Sequence, residues 1–207
     1  MKFQDLKTKS KVLIGICSPM VLLVILGGVA TLSIKDIVAT NKLVNHTQEA
    51  LADTAAIVGS AVDMETGMRG YLLAGKEEFL SPYTSGETQT YANIKALQQV
   101  VNDDPKQVKL LDEARIVLQE WQSEVTEPTI ELRRQIGNAK TMNDMAHLVA
   151  EAKGKVFFDK FRSQINTFIE REATLLATRR TDFEAARDLV NEKFSLTFTW
   201  VSFTANQ

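Results

Sequence analysis

The chain has 207 residues and a formal net charge of −2, with 24 basic against 26 acidic side chains. Its 44% hydrophobic and 24% charged content is that of a folded chain and excludes disordered or fibrous classes. The near-balanced charge, spread along the sequence, excludes the concentrated basic field of a nucleic-acid binder. A single cysteine, Cys17, excludes an intramolecular disulfide framework, so packing alone must hold the soluble part.

In chain order, residues 1–11 form a short tail carrying Lys2, Lys7, Lys9 and Lys11 against Asp5. Residues 12–34 carry no charge, and at ~1.5 Å rise per residue such a helix crosses a ~30 Å hydrocarbon core. The excess of lysine before it, against Lys35 and Asp36 cancelling after it, places the amino terminus in the cytoplasm and everything beyond residue 34 outside it. A cleaved signal peptide is the alternative, since Gly28, Val29 and Ala30 offer a cleavage spacing. The apolar run, however, exceeds the ~7–15 residues of a signal-peptide core. Cys17 follows Ile16, where a lipoprotein would carry a small residue, and reads as a membrane-buried cysteine.

Beyond the span, residues 37–73 contain no proline. Val44, Leu51, Ala55, Val58, Val62, Glu65, Arg69 and Leu72 recur there at helical steps, which predicts one long helix. Gly75 ends it in a left-handed cap, and a second helix is expected over 77–101. Asp104 and Pro105 stop and restart the chain. A third helix then carries Val108, Leu111, Ala114, Leu118 and Trp121 on one face, with Pro128 bending it and Gly137 and Asn138 ending its continuation. Thr141 to Asp144 forms a capping box with Asp in place of the usual Glu. A last long helix from Gly154 carries Phe161, Ile165, Phe168, Leu175, Phe183, Ala186, Val190 and Phe194, with the pattern interrupted at Glu172 and Arg179. The fold expected is all-α, a membrane helix followed by a long antiparallel four-helix bundle over residues 35–193. Residues 194–207 are uncharged but too short to span. They read either as the start of a return membrane helix or as the start of a second sensory module, the latter suggested by a V-x-x-T echo of Val44 to Thr47 in Val201 to Thr204.

The densest local pattern is Asp63-Met64-Glu65-Thr66-Gly67-Met68-Arg69-Gly70-Tyr71-Leu72-Leu73-Ala74-Gly75, continuing through Lys76, Glu77, Glu78 and Phe79 to Tyr83. Together with Trp121 to Pro128, Gly154 to Arg162, and Glu172, Leu175 and Arg179, it resembles the signature of the CHASE-3 family of extracytoplasmic sensory domains over residues 37–193. The resemblance implies an extracytoplasmic four-helix bundle, usually dimeric, anchored in the bacterial inner membrane. Such a domain passes a stimulus, from an unknown ligand or extracytoplasmic partner protein, through membrane helices to a downstream cytoplasmic signalling module. The basic tail, anchor and module are most similar to a chemotaxis receptor; a sensor histidine kinase, a cyclase or a membrane-tethered adaptor are the alternatives. The family supplies no catalytic residues and no cofactor. The candidate coupling or ligand-contact residues are Asp63, Glu65, Gly67, Arg69, Gly70, Tyr71, Gly75, Trp121 and Arg162.

The residues read in their own right agree with a non-catalytic role. Glu65 and Arg69 stand four apart in the favoured order for a helical ion pair, worth ~0.3–0.5 kcal/mol when exposed. Gly67 and Gly70 each cost about 1 kcal/mol of helix propensity, which a closely approaching neighbour would explain. Asp63 and Glu65 point about 200° apart on a helix and cannot share a substrate. His46 and His147, the two histidines, lie on separate elements without metal-ligand spacing. Phosphate loops and nucleophile elbows are absent from the sequence.

Overall fold

The computed structural model describes residues 8–136, 141–150 and 153–205, with side chains at 8, 10–16, 18, 19, 22, 25, 148, 150, 197, 198 and 200–205 outside the description. Its elements are α1 (Thr8–Ala74), a 3-10 turn (Glu77–Leu80), α2 (Ser81–Val100), α3 (Pro105–Trp121), a π turn (Gln122–Thr126), α4 (Glu127–Gln135), α5 (Met142–Ala150) and α6 (Lys153–Ala205). Among the described residues there is no strand, and the fold is the all-α one expected. Also among the described residues, no helix is long and apolar enough to cross a membrane. The expected span over 12–34 includes side chains that lie outside the description, as does the expected stop at Gly137 and Asn138.

The chain divides into two compact units, His46–Leu176 and a second made of Met1–Asn45 with Ala177–Gln207. In the second unit the Arg179 guanidinium donates to the Leu43 carbonyl at 3.3 Å, tying α6 to α1. The first unit is the bundle. Its core joins Ile57, Met64 and Met68 of α1 to Ile94 and Leu97 of α2, Leu111, Leu118 and Trp121 of α3, and Phe158, Phe161, Ile165 and Phe168 of α6. Burial of large side chains such as these stabilises by roughly 1.5–3 kcal/mol each.

The buried seam of α1 is Ala50, Thr54, Ile57, Ala61, Met64, Met68 and Tyr71. Each lies one residue before the stripe expected from the sequence, whose members Leu51, Val58, Val62, Glu65 and Leu72 are half-buried and flank the core. Both stripes keep the same three- and four-residue steps, and the polar Thr54 hides the true one. Its hydroxyl is satisfied by its own helix, donating to the Ala50 carbonyl at 2.7 Å, so a threonine fits the seam. Of the expected faces, Leu111, Ala114, Leu118 and Trp121 of α3 and Phe161, Ile165 and Phe168 of α6 are buried, while Val108 and Leu175 are half-buried.

Local chemistry explains the joints. Gly75 has φ 67°, the left-handed conformation that ends a helix at no steric cost to glycine, and its N–H donates to the Tyr71 carbonyl at 2.7 Å. The Arg133 guanidinium occupies the space a side chain at Gly75 would need and donates to the Leu72 carbonyl at 2.8 Å, satisfying an end-of-helix acceptor. The second helix begins later than its sequence suggests: Glu77–Leu80 is a 3-10 turn, and α2 starts at Ser81, with Pro82 in its first turn. Asp104 caps α3 by accepting from the Lys106 N–H at 3.0 Å and takes the Arg171 guanidinium at 2.6 Å. Against the upward push of desolvation, these donors hold the Asp104 carboxyl below the usual carboxylate range. Thr141 and Asp144 form the expected box, the Thr141 N–H donating to Asp144 Oδ2 at 2.7 Å and the Asp144 N–H to Thr141 Oγ1 at 3.4 Å.

The polar residue that interrupts the α6 pattern, Glu172, is buried and accepts from Gln107 Nε2 at 2.6 Å. Gln107 Oε1 has no partner among the described residues.

Candidate functional site

Pro128 cannot donate a backbone hydrogen bond and clashes with the turn before it. The helix accommodates this by widening into the π turn at Gln122–Thr126, where the Glu127 N–H reaches back to the Gln122 carbonyl. Such a bulge rotates the residues beside it. On one side it buries Gln122, whose amide donates to Tyr83 Oη at 3.0 Å and Glu87 Oε1 at 2.9 Å and accepts from the Tyr91 hydroxyl. Burial raises both tyrosines above their ordinary range. On the other side, Trp121, Glu124 and Val125 line a cleft.

That cleft, of about 250 Å³, is walled by Glu65, Met68, Arg69 and Leu72 of α1, by Trp121, Glu124, Val125 and Thr129 around the π turn, and by Val149, Lys153, Gly154 and Lys155 of α5 and α6. Its floor is apolar and aromatic. Trp121 is 2% exposed and packs edge-on against Phe158 with ring centroids 5.5 Å apart. Gly154 brings the start of α6 close: a Cβ there would lie 3.2 Å from Val125 Cγ1 and 3.7 Å from Trp121 Nε1. The rim is charged. Arg69 Nη2 lies 2.6 Å from Glu65 Oε1, and Arg162 of α6 lies 3.7 Å from Glu65 Oε2 while its guanidinium stacks 4.7 Å over the Phe158 ring. Glu65 therefore stands between a cation on its own helix and one on α6. Lys155 pairs with Asp159.

Of the candidates read from sequence, Glu65, Arg69 and Trp121 meet in this cleft, with Arg162 directly behind Glu65. Asp63 is exposed elsewhere on α1. Gly67 and Gly70 are contact points: a Cβ on Gly67 would meet Tyr83 N at 2.5 Å, and one on Gly70 the Phe79 ring at 3.1 Å. The Tyr71 hydroxyl donates to Glu77 Oε1 at 3.1 Å, and Glu77 binds Arg134 at 3.0 Å. The Arg134 hydrogen bond draws the Glu77 carboxyl down, and burial with the Glu77 contact pushes the Tyr71 hydroxyl up. The sequence candidates did not include Met68, Leu72, Glu124, Val125, Thr129, Val149, Lys153, Gly154 or Lys155, which also line the cleft. The available signal was Pro128 inside an otherwise unbroken helix, which forces a bulge just upstream. Among the described residues, no cluster of three or more metal-ligating side chains is found.

The helical bundle carries this charged-rimmed cleft between α1, the π turn, α5 and α6. The match to the CHASE3 domain over residues 40–182, more than half the chain, makes this chain a member of that family. It is also similar to the crystal structure of the Rhodopseudomonas palustris histidine kinase HK9 sensor domain, at 22% identity and TM-score 0.55, over 63% of this chain and 98% of that one. At that identity the likeness speaks for the fold. No curated protein matches this chain. The chain thus carries an extracytoplasmic sensory input module.

Proposed function

We propose that the chain is the stimulus-sensing part of a bacterial transmembrane receptor, anchored through residues 12–34 with its amino terminus in the cytoplasm, working as a homodimer. The observation that carries it is Glu65, held on one side by Arg69 of its own helix and on the other by Arg162 of α6. A stimulus that takes Arg69 away from Glu65 biases the α1–α6 contact, and small helix displacements are a common currency of receptor switching. The absence of proline between residues 29 and 73 supports transmission of that bias toward the membrane.

The basic tail, anchor and module favour a chemotaxis output. The second reading, a sensor histidine kinase, is favoured by the HK9 sensor domain to which the bundle is similar. Reading the coding sequence past Gln207 separates them: methyl-accepting signalling helices support the first, a kinase core the second, and a stop codon refutes the receptor reading. For coupling itself, a Pro-Gly insertion beside Lys35 is expected to abolish signalling while leaving the bundle folded. Unchanged signalling would refute transmission through α1.

A further inference from the structure

We propose that the cleft is a binding site for a small uncharged aromatic molecule, one ring with a short substituent. The proposal deepens the sensory reading above and rests on it only for what binding does to the receptor. Four observations carry it. First, the cleft is built around the widened turn at Gln122–Thr126, and such bulges recur at functional sites. Gly154 keeps the opposite wall bare: a Cβ there would lie 3.2 Å from Val125 Cγ1 and 3.7 Å from Trp121 Nε1, so any side chain takes room from the cleft.

Second, Met68, Leu72, Trp121, Val125 and Val149 give an apolar lining to a space of about 250 Å³. An apolar cavity of about 150 Å³ accepts benzene, so this one suits a ring carrying a few more atoms. Third, the rim asks for no counter-charge. Glu65 sits between Arg69 and Arg162, Lys155 pairs with Asp159, and Lys153 has an interaction of its own. Glu124 is exposed to water. A charged guest would shed its hydration on the apolar floor and gain no buried partner in return.

Fourth, the rim rewards a ring over an aliphatic body of the same size. Arg162 already stacks 4.7 Å over Phe158. Arg69 borders the cleft with its side chain 67% exposed, and it can lay its guanidinium over a bound ring in the same way, a cation–π contact that a saturated ring does not make. The Met68 thioether favours a ring edge as well. Once Arg69 turns to the guest, Glu65 is left to Arg162, so occupancy shifts the contact between α1 and α6.

The test uses the full chain in detergent with Trp200→Phe, so that Trp121 is the remaining tryptophan. Its fluorescence is titrated with four guests of one shape: benzyl alcohol, cyclohexylmethanol, benzylamine and benzoate. A saturable change with benzyl alcohol is expected, with cyclohexylmethanol about two- to fivefold weaker and both ions about tenfold weaker or more. Arg69→Gln should erase the preference for the aromatic ring over the saturated one. Gly154→Ala and Val149→Asp should each weaken benzyl alcohol about fivefold or more; Val149 is 56% exposed, so the second variant keeps the fold, as circular dichroism would verify. Val156→Asp, 67% exposed and outside the cleft, should leave binding unchanged. The proposal is overturned by no saturable change with benzyl alcohol, by equal binding of cyclohexylmethanol or of either ion, by a ring preference that survives Arg69→Gln, or by a Val149→Asp variant that binds as well. Binding without any change in receptor output would support the site and overturn the sensory reading. Output that answers other stimuli, with no aromatic guest bound, would do the reverse.

Discussion

Replacing Gly67 with alanine sets two effects against each other, and the structure says which wins. Alanine at a helix interior is about 1 kcal/mol better than glycine. At Gly67 the new Cβ would fall 2.5 Å from Tyr83 N and 3.2 Å from two atoms of Pro82. These are backbone and proline-ring atoms at the start of α2, with no flexible end to swing aside, so α1 and α2 must separate. Gly86 marks the same crossing from the other side, where a Cβ would sit 2.6 Å from the Ser60 carbonyl oxygen. Overpacking of this kind costs about 1–3 kcal/mol. Gly59 lies on the same helix with nothing within 4 Å of its would-be Cβ, so Gly59→Ala gains the propensity and meets no wall. The difference between the two variants cancels propensity and isolates the packing cost. Thermal unfolding of the full chain followed by circular dichroism should show Gly59→Ala melting above the parent and Gly67→Ala about 2–12 °C below Gly59→Ala, at about 2–4 °C per kcal/mol for a chain of this length. If Gly67→Ala melts as high as Gly59→Ala, the close crossing of α1 and α2 is not part of the folded state.

The remaining expectations concern buried polar groups and caps. Glu172→Leu or Gln107→Leu alone should cost about 1–3 kcal/mol in urea unfolding, because each strands a buried partner, whereas the double replacement should be more stable than either single one; additive losses would show that the pair does not interact. Asp104→Ala removes a helix cap and should cost about 0.5–2 kcal/mol, read as a lower urea midpoint. Because the folded Asp104 carboxyl lies below its ordinary value of 3.8, its contribution is present above that value and is lost as pH falls through the lower, folded one. Asp104→Asn should therefore flatten the acid side of the stability profile, and an unchanged acid limb would count against the Arg171 contact. Arg133→Ala should lower the melting temperature by removing the donor to the Leu72 carbonyl, and hydrogen exchange should rise at the last turn within residues 70–75.

Much of this architecture is written in residues that act locally. Gly75, Asp104, Pro105, Thr141 and Asp144 fix helix ends through conformations and caps that need no distant partner. Most of the apolar faces of α3 and of the first half of α6, Leu111 to Trp121 and Phe161 to Phe168, follow from period, and the charge-free run at residues 12–34 is a property of composition. The ordered pattern from Asp63 to Tyr83 marked the family before any contact was known. Tertiary structure decided the rest. Two stripes of α1, one residue apart, have the same periodicity, and the neighbouring helices alone determine that Ala50, Thr54 and Ile57 face inward while Glu65 is left at the edge. Glu172 looks like an interruption until Gln107, 65 positions away, is brought to it. The cleft is assembled from α1, the π turn, α5 and the start of α6, and no spacing within one segment encodes it. Pro128 determines that a bulge must form upstream, but which side chains that bulge turns toward a cavity depends on what packs against it.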